Sequence, residues 1–323
     1  MGLFQYPPGA SYRIDYGLIG TNFGGPSRNV LSKLPSYEER IGPMPPVQTS
    51  EHQELSNLLG EPAAHFIQDI WPSRSAVFRG DPNRLDWLLD SVPRDLEKLI
   101  QHRRLRLRSW WINRSGRFQQ STLNPQNLPL LRPDSTVVVD GLEEVFPALG
   151  RFIDQLRPSI PTPLKHASAS FYMGRAQTET RVHYDHQEVL IHQIEGRKRW
   201  LYAPCEDVVW PDRPHFGPGA LRGPEGVQFP PDLSAFHEVI LEPGDALFLP
   251  RGWWHQSLAL TDSHSITWTL WALNKAEQIV AALHQRLRSI EAARAPAVPG
   301  DQFSWDEVWP LIQEALPKQE GEQ

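Results

Sequence analysis

Two short stretches of this chain carry residue types that bind metal. In His183-Tyr184-Asp185 an imidazole and a carboxylate stand two residues apart, so an extended backbone sends both to the same side. Farther on, Leu241 to His255 reads as a Pro243-Gly244 turn, an apolar strand, a second turn at Pro250-Arg251-Gly252, and then a histidine delivered beside Trp253 and Trp254. Two histidines and one carboxylate on one face of an ion leave three positions open, which is what iron(II) needs to bind a chelating cosubstrate and dioxygen side by side. Zinc sites more often use three or four nitrogen and sulfur ligands and keep at most one open position. With a single cysteine, Cys205, a cysteine-based zinc cluster is excluded. His166, His186, His192, His215, His237 and His264 lack a comparable partner and read as structural.

The elements that must position these residues are legible as a change of pattern. Residues 1–50 are rich in Gly, Pro, Ser and Asn without periodicity and read as an N-terminal arm or coil. From residue 51 to 134 helical and strand elements are expected to pack on a barrel. Leu55, Leu58, Leu59, Phe66, Ile67 and Ile70 predict a helix ending near Trp71-Pro72, and Ala76 to Arg79 a short strand. Asp81-Pro82 predicts a helix start ahead of Leu85, Leu88 and Leu89. Leu105 and Leu107 alternate with Arg104, Arg106 and Arg108 as a strand with a basic face, and solvated arginines are the commoner meaning of such a face.

Thr136 to Val139 is a β-branched strand, and Val145 to Leu156 an amphipathic helix stopped before Pro158. The segment 135–274 is the expected catalytic barrel. Short runs at 167–173, 189–194, 199–202, 237–241, 246–249 and 265–271, separated by Gly and Pro turns, are the grammar of a barrel or sandwich. In 275–323, Ile279, Val280, Leu283 and Leu287 predict a helix, with a second one around Trp305 to Leu316. These C-terminal helices are expected to cap the barrel or to pair two subunits as a homodimer.

Composition bounds the rest. A chain of 323 residues with 31 prolines favours turns and edges over long helical bundles. The formal charge of −6 argues against a nucleic-acid partner. No run approaches 18 apolar residues and the N-terminus lacks the pattern of a signal peptide, so a membrane span is not expected and a cytoplasmic location is.

From about Thr136 to Trp271 the sequence resembles the JmjC-type, cupin-like 2-oxoglutarate oxygenases, which include the asparaginyl hydroxylase of hypoxia-inducible factor and the ribosomal oxygenases. The resemblance implies a mainly β fold with flanking helices, a double-stranded β-helix or jelly-roll barrel. It also implies that Fe(II) is bound by His183, Asp185 and His255. A lysine fifteen residues after the first ligand, in a turn like Gly196-Arg197-Lys198-Arg199, anchors the distal carboxylate of 2-oxoglutarate in that family, so the resemblance assigns that part to Lys198. A threonine three residues before the first histidine shares the task, which falls here to Thr180. A buried cation is physically suited to a dicarboxylate that would otherwise be costly to desolvate. Ile191, on the strand face of Val189, is expected to pack against the cosubstrate. Trp253, Trp254 and Trp271 are candidate pocket walls.

Val189 stands where the asparaginyl hydroxylase has an asparagine, so substrate contacts do not transfer as a set. After Trp271 about fifty residues remain, fewer than the further modules of ribosomal oxygenases occupy. The expected activity is hydroxylation of an unactivated C–H bond, with O2, in a protein side chain or a small molecule. Two alternatives stay open: an Fe(II) oxygenase that uses no 2-oxoglutarate, and a catalytically silent cupin-like binding protein.

Overall fold

In a computed structural model of the chain, the described residues are 52–113, 118–216, 227–230, 232–294 and 309–313. They fall within a compact unit spanning 47–323. The expected N-terminal arm, 1–50, lies outside the described residues. Twelve strands run β1 (Ala76–Phe78), β2 (Arg106–Ile112), β3 (Phe118–Thr122), β4 (Thr136–Asp140), β5 (Leu164–Gly174), β6 (Glu179–His183), β7 (Glu188–Glu195), β8 (Lys198–Pro204), β9 (His237–Leu241), β10 (Ala246–Leu249), β11 (Trp253–Ala259) and β12 (Ser263–Ala272). They form an eight-stranded sheet, β1-β10-β7-β12-β5-β4-β2-β3, and a four-stranded sheet, β6-β11-β8-β9. Every pairing is antiparallel.

Alternation divides the larger sheet cleanly. One face presents Phe78, Phe248, Leu190, Ile266, Trp268, Phe171, Val137 and Val139 to a core shared with two helices, α1 (Gln53–Leu59) and α2 (Pro147–Leu156). The other presents Val189, Ile191, Leu247 and Leu249, which cluster with Trp200, Tyr202, Val239 and Leu241 of the smaller sheet. The space between the sheets is therefore lined from both sides, as the expected double-stranded β-helix requires. Ser265 and Thr267 of β12 share this inward face, since they stand opposite Gln193 and Ile191.

Sequence periodicity and structure differ in three instructive places. The helix expected from Leu55 to Ile70 is broken, because Gly60 closes α1 in the left-handed region (φ 73°) and Pro62 follows. Helical structure resumes over Ala63–His65 and continues as a π turn, Phe66–Ile70. The helix expected after Asp81-Pro82 is regular only over Asp86–Leu89; the Asp81 carboxylate accepts from the Asn83 N–H as a cap does, but the chain passes through turns before the helix begins. The basic face of β2 is paired, with Arg106 reaching Glu144 at 3.0 Å and Arg108 bonded to Asp140.

At the C-terminal end, α3 (Lys275–Leu287) starts with a capping box between Asn274 and Glu277. The second expected helix is helical over its described residues, 309–313. No helix among the described residues is long and apolar enough to cross a membrane.

The junction of helices and sheet centres on Phe248, which is fully buried and lies 4.9 Å edge-on from Phe66 and 5.7 Å from Trp71. Phe248→Ala should destabilise the protein by about 3–5 kcal/mol, the usual cost of deleting a buried ring. Urea denaturation would check this, and a loss below about 1 kcal/mol would mean that this junction does not hold the helices to the sheet.

Candidate metal centre and cosubstrate pocket

The three sequence-predicted ligands come together from two segments. His183 ends β6 and stands directly opposite His255 on β11, and Asp185 follows one residue past Tyr184, in a stretch outside any strand. One side-chain donor atom from each of His183, Asp185 and His255 lies within 4.8 Å of the others. The imidazole centroids are 4.2 Å apart, and His255 Nε2 is 3.7 Å from Asp185 Oδ2, a separation too long for a hydrogen bond.

Both rings are held in the orientation a metal requires. His183 Nδ1 lies 2.7 Å from the Arg181 carbonyl and His255 Nδ1 2.9 Å from the Trp253 carbonyl. A carbonyl only accepts, so each Nδ1 carries a proton, and a neutral ring held this way has its lone pair on Nε2. Burial, with His183 adding to it, pushes His255 down to about 4, Asp185 and the Trp253 carbonyl opposing, so the ring is neutral at physiological pH. These features fit a divalent ion held by two neutral imidazoles and one carboxylate, with the remaining positions open to the barrel interior.

Deeper in the barrel the smaller sheet stacks residues in rows. The row carrying His183, His255 and Tyr202 is followed by Thr180, Ser257 and Trp200, and then by Lys198. Thr180 is an odd number of residues from His183 and would normally point the other way. A register shift between His255 and Ser257 puts three steps of β6 against two of β11, and this bulge returns Thr180 to the inward face.

Lys198 is 5 % exposed, and its Nζ donates to Ser265 Oγ at 3.1 Å. Among the described residues it has no carboxylate partner. Desolvation lowers it to about 8 from its ordinary 10.5. A buried ammonium without an anion is costly, and a dicarboxylate bound between the metal row and Lys198 would supply the missing charge. Ile191 lies inside the barrel in the cluster that includes Trp200, as expected of a residue lining that space.

Some expectations are refined. Trp253 joins the interior cluster, but Trp254, one residue on, faces outward and packs on Tyr184, His215 and Phe229, so it does not wall the pocket. Trp271 sits against His186 and Lys165. His192 is a satisfied core histidine, with its Nε2 on the Leu58 carbonyl and its Nδ1 accepting from Trp268. Sequence reasoning missed Ser265, Ser257 and Thr267. For Ser265 and Thr267 the signal was present in β12, where Ser265, Thr267 and Thr269 alternate with Ile266, Trp268 and Leu270 and mark a strand with one hydroxyl face.

The chain is similar in sequence and in fold to known proteins. Residues 151–278 match the JmjC domain family. The chain is 35 % identical over 106 residues to a Drosophila persimilis protein named bifunctional lysine-specific demethylase and histidyl-hydroxylase NO66, a match covering 32 % of this chain and 14 % of that one. It is 26 % identical over 253 residues to the uncharacterized protein YxbC of Bacillus subtilis, covering 73 % and 76 % of the two chains. The ribosomal oxygenase YcfD of Escherichia coli, solved with cobalt and 2-oxoglutarate, superposes with a TM-score of 0.52 at 19 % identity over 79 % of this chain and 66 % of its own, which shows a shared fold.

A buried lysine that serves a ligand should burden the empty protein. Its pKa is lower folded than unfolded, so the penalty is fully present below about pH 8 and disappears as pH rises through 10.5. Lys198→Met should therefore stabilise the ligand-free protein at pH 7, by on the order of 3 kcal/mol at most. Denaturant titrations at pH 7 and above pH 10 would check this, with the gain shrinking at the higher pH. A destabilised variant at pH 7 would show that the ammonium is structural.

Proposed function

We propose, from the match of residues 151–278 to the JmjC domain family, that this chain is an Fe(II)- and 2-oxoglutarate-dependent oxygenase that hydroxylates an unactivated C–H bond. The observation that carries this reading is the pairing of a three-donor site, its Nε2 lone pairs free, with a buried unpaired ammonium deeper in the same barrel. His183, Asp185 and His255 would hold the iron, and Lys198, with Thr180 alongside, the distal carboxylate of 2-oxoglutarate. When bound, the iron supplies dioxygen activation coupled to oxidation of 2-oxoglutarate to succinate and carbon dioxide.

The protein's own residues bind, orient and exclude water. Two backbone carbonyls keep the imidazoles in one tautomer. Ser265 fixes the direction of the Lys198 ammonium, and Ile191, Val189, Leu247 and Trp200 keep the interior apolar around it. The substrate proposed is a protein side chain or a small molecule. The name histidyl-hydroxylase borne by one relative and ribosomal oxygenase by a structural neighbour favour a protein. The chain spans 14 % of that relative's length, so its substrate is not carried over as a specific one. A cytoplasmic setting fits the single cysteine.

The C-terminal helix α3 is proposed to pair two subunits, because it buries none of its residues and leaves Ile279 and Val280 66 % and 52 % exposed. Ile279→Asp should then convert a dimer to a monomer in sedimentation analysis, and a monomeric wild-type protein would remove the idea.

The reaction class is tested by anaerobic addition of Fe(II) and then 2-oxoglutarate to the apo-protein, following the visible charge-transfer band of the chelated cosubstrate. The band is expected in the wild type, much weaker in Lys198→Ala, and absent in His255→Ala. Iron binding without a band would favour an oxygenase that does not use 2-oxoglutarate, and no iron binding a silent barrel.

A further inference from the structure

Asp185 poses a positioning problem. It lies outside the strands, and among the described residues its carboxylate receives no hydrogen bond, His255 Nε2 standing 3.7 Å from Oδ2. Nothing in its own side-chain contacts therefore aims it. Its backbone is held instead, through its carbonyl, which accepts from the Gly252 N–H at 2.8 Å. Gly252 belongs to the turn between β10 and β11 that delivers His255. It occupies the left-handed region at φ 79°, with Pro211 so close that a Cβ would stand 2.8 Å from its Cδ.

The two residues that flank this link are joined to each other. Glu188 opens β7 three residues after Asp185, and Arg251 precedes Gly252. Arg251 Nε donates to Glu188 Oε1 at 2.6 Å and Nη2 to Oε2 at 3.1 Å, a two-pronged contact. Nη2 also donates to the Ala272 carbonyl at 2.7 Å, and the Ala272 N–H reaches Glu188 Oε2 at 3.3 Å. The side chains are 7 % and 1 % exposed. The pair thus ties the segment after Asp185, the turn before His255 and the end of β12 into one unit.

We propose that the Glu188–Arg251 pair is a positioning device for the metal centre, setting the separation of Asp185 from His255. The proposal rests on the reading of His183, Asp185 and His255 as metal ligands. A buried ion pair is a poor way to gain stability, since apolar side chains of similar volume usually serve as well. What they cannot do is fix a direction, and the planar guanidinium bonded at both oxygens of Glu188 and to Ala272 does. Outer partners of this kind typically change metal affinity by 10- to 100-fold.

The test uses Co(II) as the probe on the full chain with Glu188→Gln, Arg251→Lys and the apolar double variant Glu188→Leu/Arg251→Met. Cooperative unfolding of each apo-protein is recorded beside the Co(II) dissociation constant and the visible Co(II) spectrum, which reports ligand geometry. Variants that still unfold cooperatively are expected to bind Co(II) about 10- to 100-fold more weakly with an altered spectrum, Arg251→Lys being least affected. Folded variants with wild-type affinity and spectrum would overturn the positioning role. So would failure of all three to fold, which would assign the pair to general stability. A wild-type protein that takes up no Co(II) would instead sink the metal centre itself.

Discussion

The placement of His255 directly across from His183, on β11 and β6, is the constraint from which the rest of the interior follows. Once those imidazoles share a row, strand alternation decides what lies below them. Ser257 and Trp200 come next on the inward face, then Lys198 on β8. Two rows of a strand amount to roughly 13 Å along the chain, a span that the four-carbon arm of a lysine shortens from below. The bulge in β6 is part of the same constraint, because without it Thr180 would leave the interior and Arg181 would enter. One irregularity in an otherwise regular ladder keeps a charged residue out and a hydroxyl in.

The smaller sheet could not hold that row alone. Four short strands whose inner face mixes apolar side chains with histidines, hydroxyls and a lysine bury too little apolar surface to be stable by themselves. The larger sheet divides the labour between its faces. Its outer face, through Phe171, Ile266, Trp268, Leu190 and Phe248, packs on α1 and α2 and carries most of the buried apolar surface. Its inner face is thereby released to carry Ser265, Thr267 and Gln193 beside Ile191 and Val189. The buried ammonium of Lys198 is tolerable in such a frame and would be unaffordable in a smaller one.

How much of this could be read from the residues depended on how local the signal was. His183-Tyr184-Asp185, the turn before His255 and the run Ala246 to Leu249 each depend on neighbours in the chain, and the structure places them as the spacing predicts. Local chemistry that competes with periodicity was harder. Gly60 and Pro62 cut a helix whose apolar spacing runs on through them, and the segment capped by Asp81 stays in turns until Asp86. Contacts between distant segments were not legible at all. Ser265 meets Lys198 across 67 residues of sequence, and Glu188 meets Arg251 across 63. In both cases the residue types were visible while the partners were not, since pairing is a property of sheet topology. The outward turn of Trp254 follows from alternation with His255 and was within reach of the same rule that placed Asp185.

The distribution of satisfied and unsatisfied groups around the centre has a direction. On the protein side both Nδ1 atoms have carbonyls, and Glu188 and Arg251 are bonded at each end. Toward the interior, the two Nε2 atoms and the Asp185 carboxylate meet no cation, and the Lys198 ammonium, bonded to Ser265, meets no anion, among the described residues. Buried polar groups in a stable fold are normally partnered, and when they are not the deficit marks where something else binds. Here the deficits differ in sign from one end to the other, electron pairs at the metal row and a positive charge below. A cation at one end and an anion at the other correct both, and a dicarboxylate that chelates the cation corrects them with a single molecule. That polarity distinguishes this barrel from one that only encloses an apolar ligand.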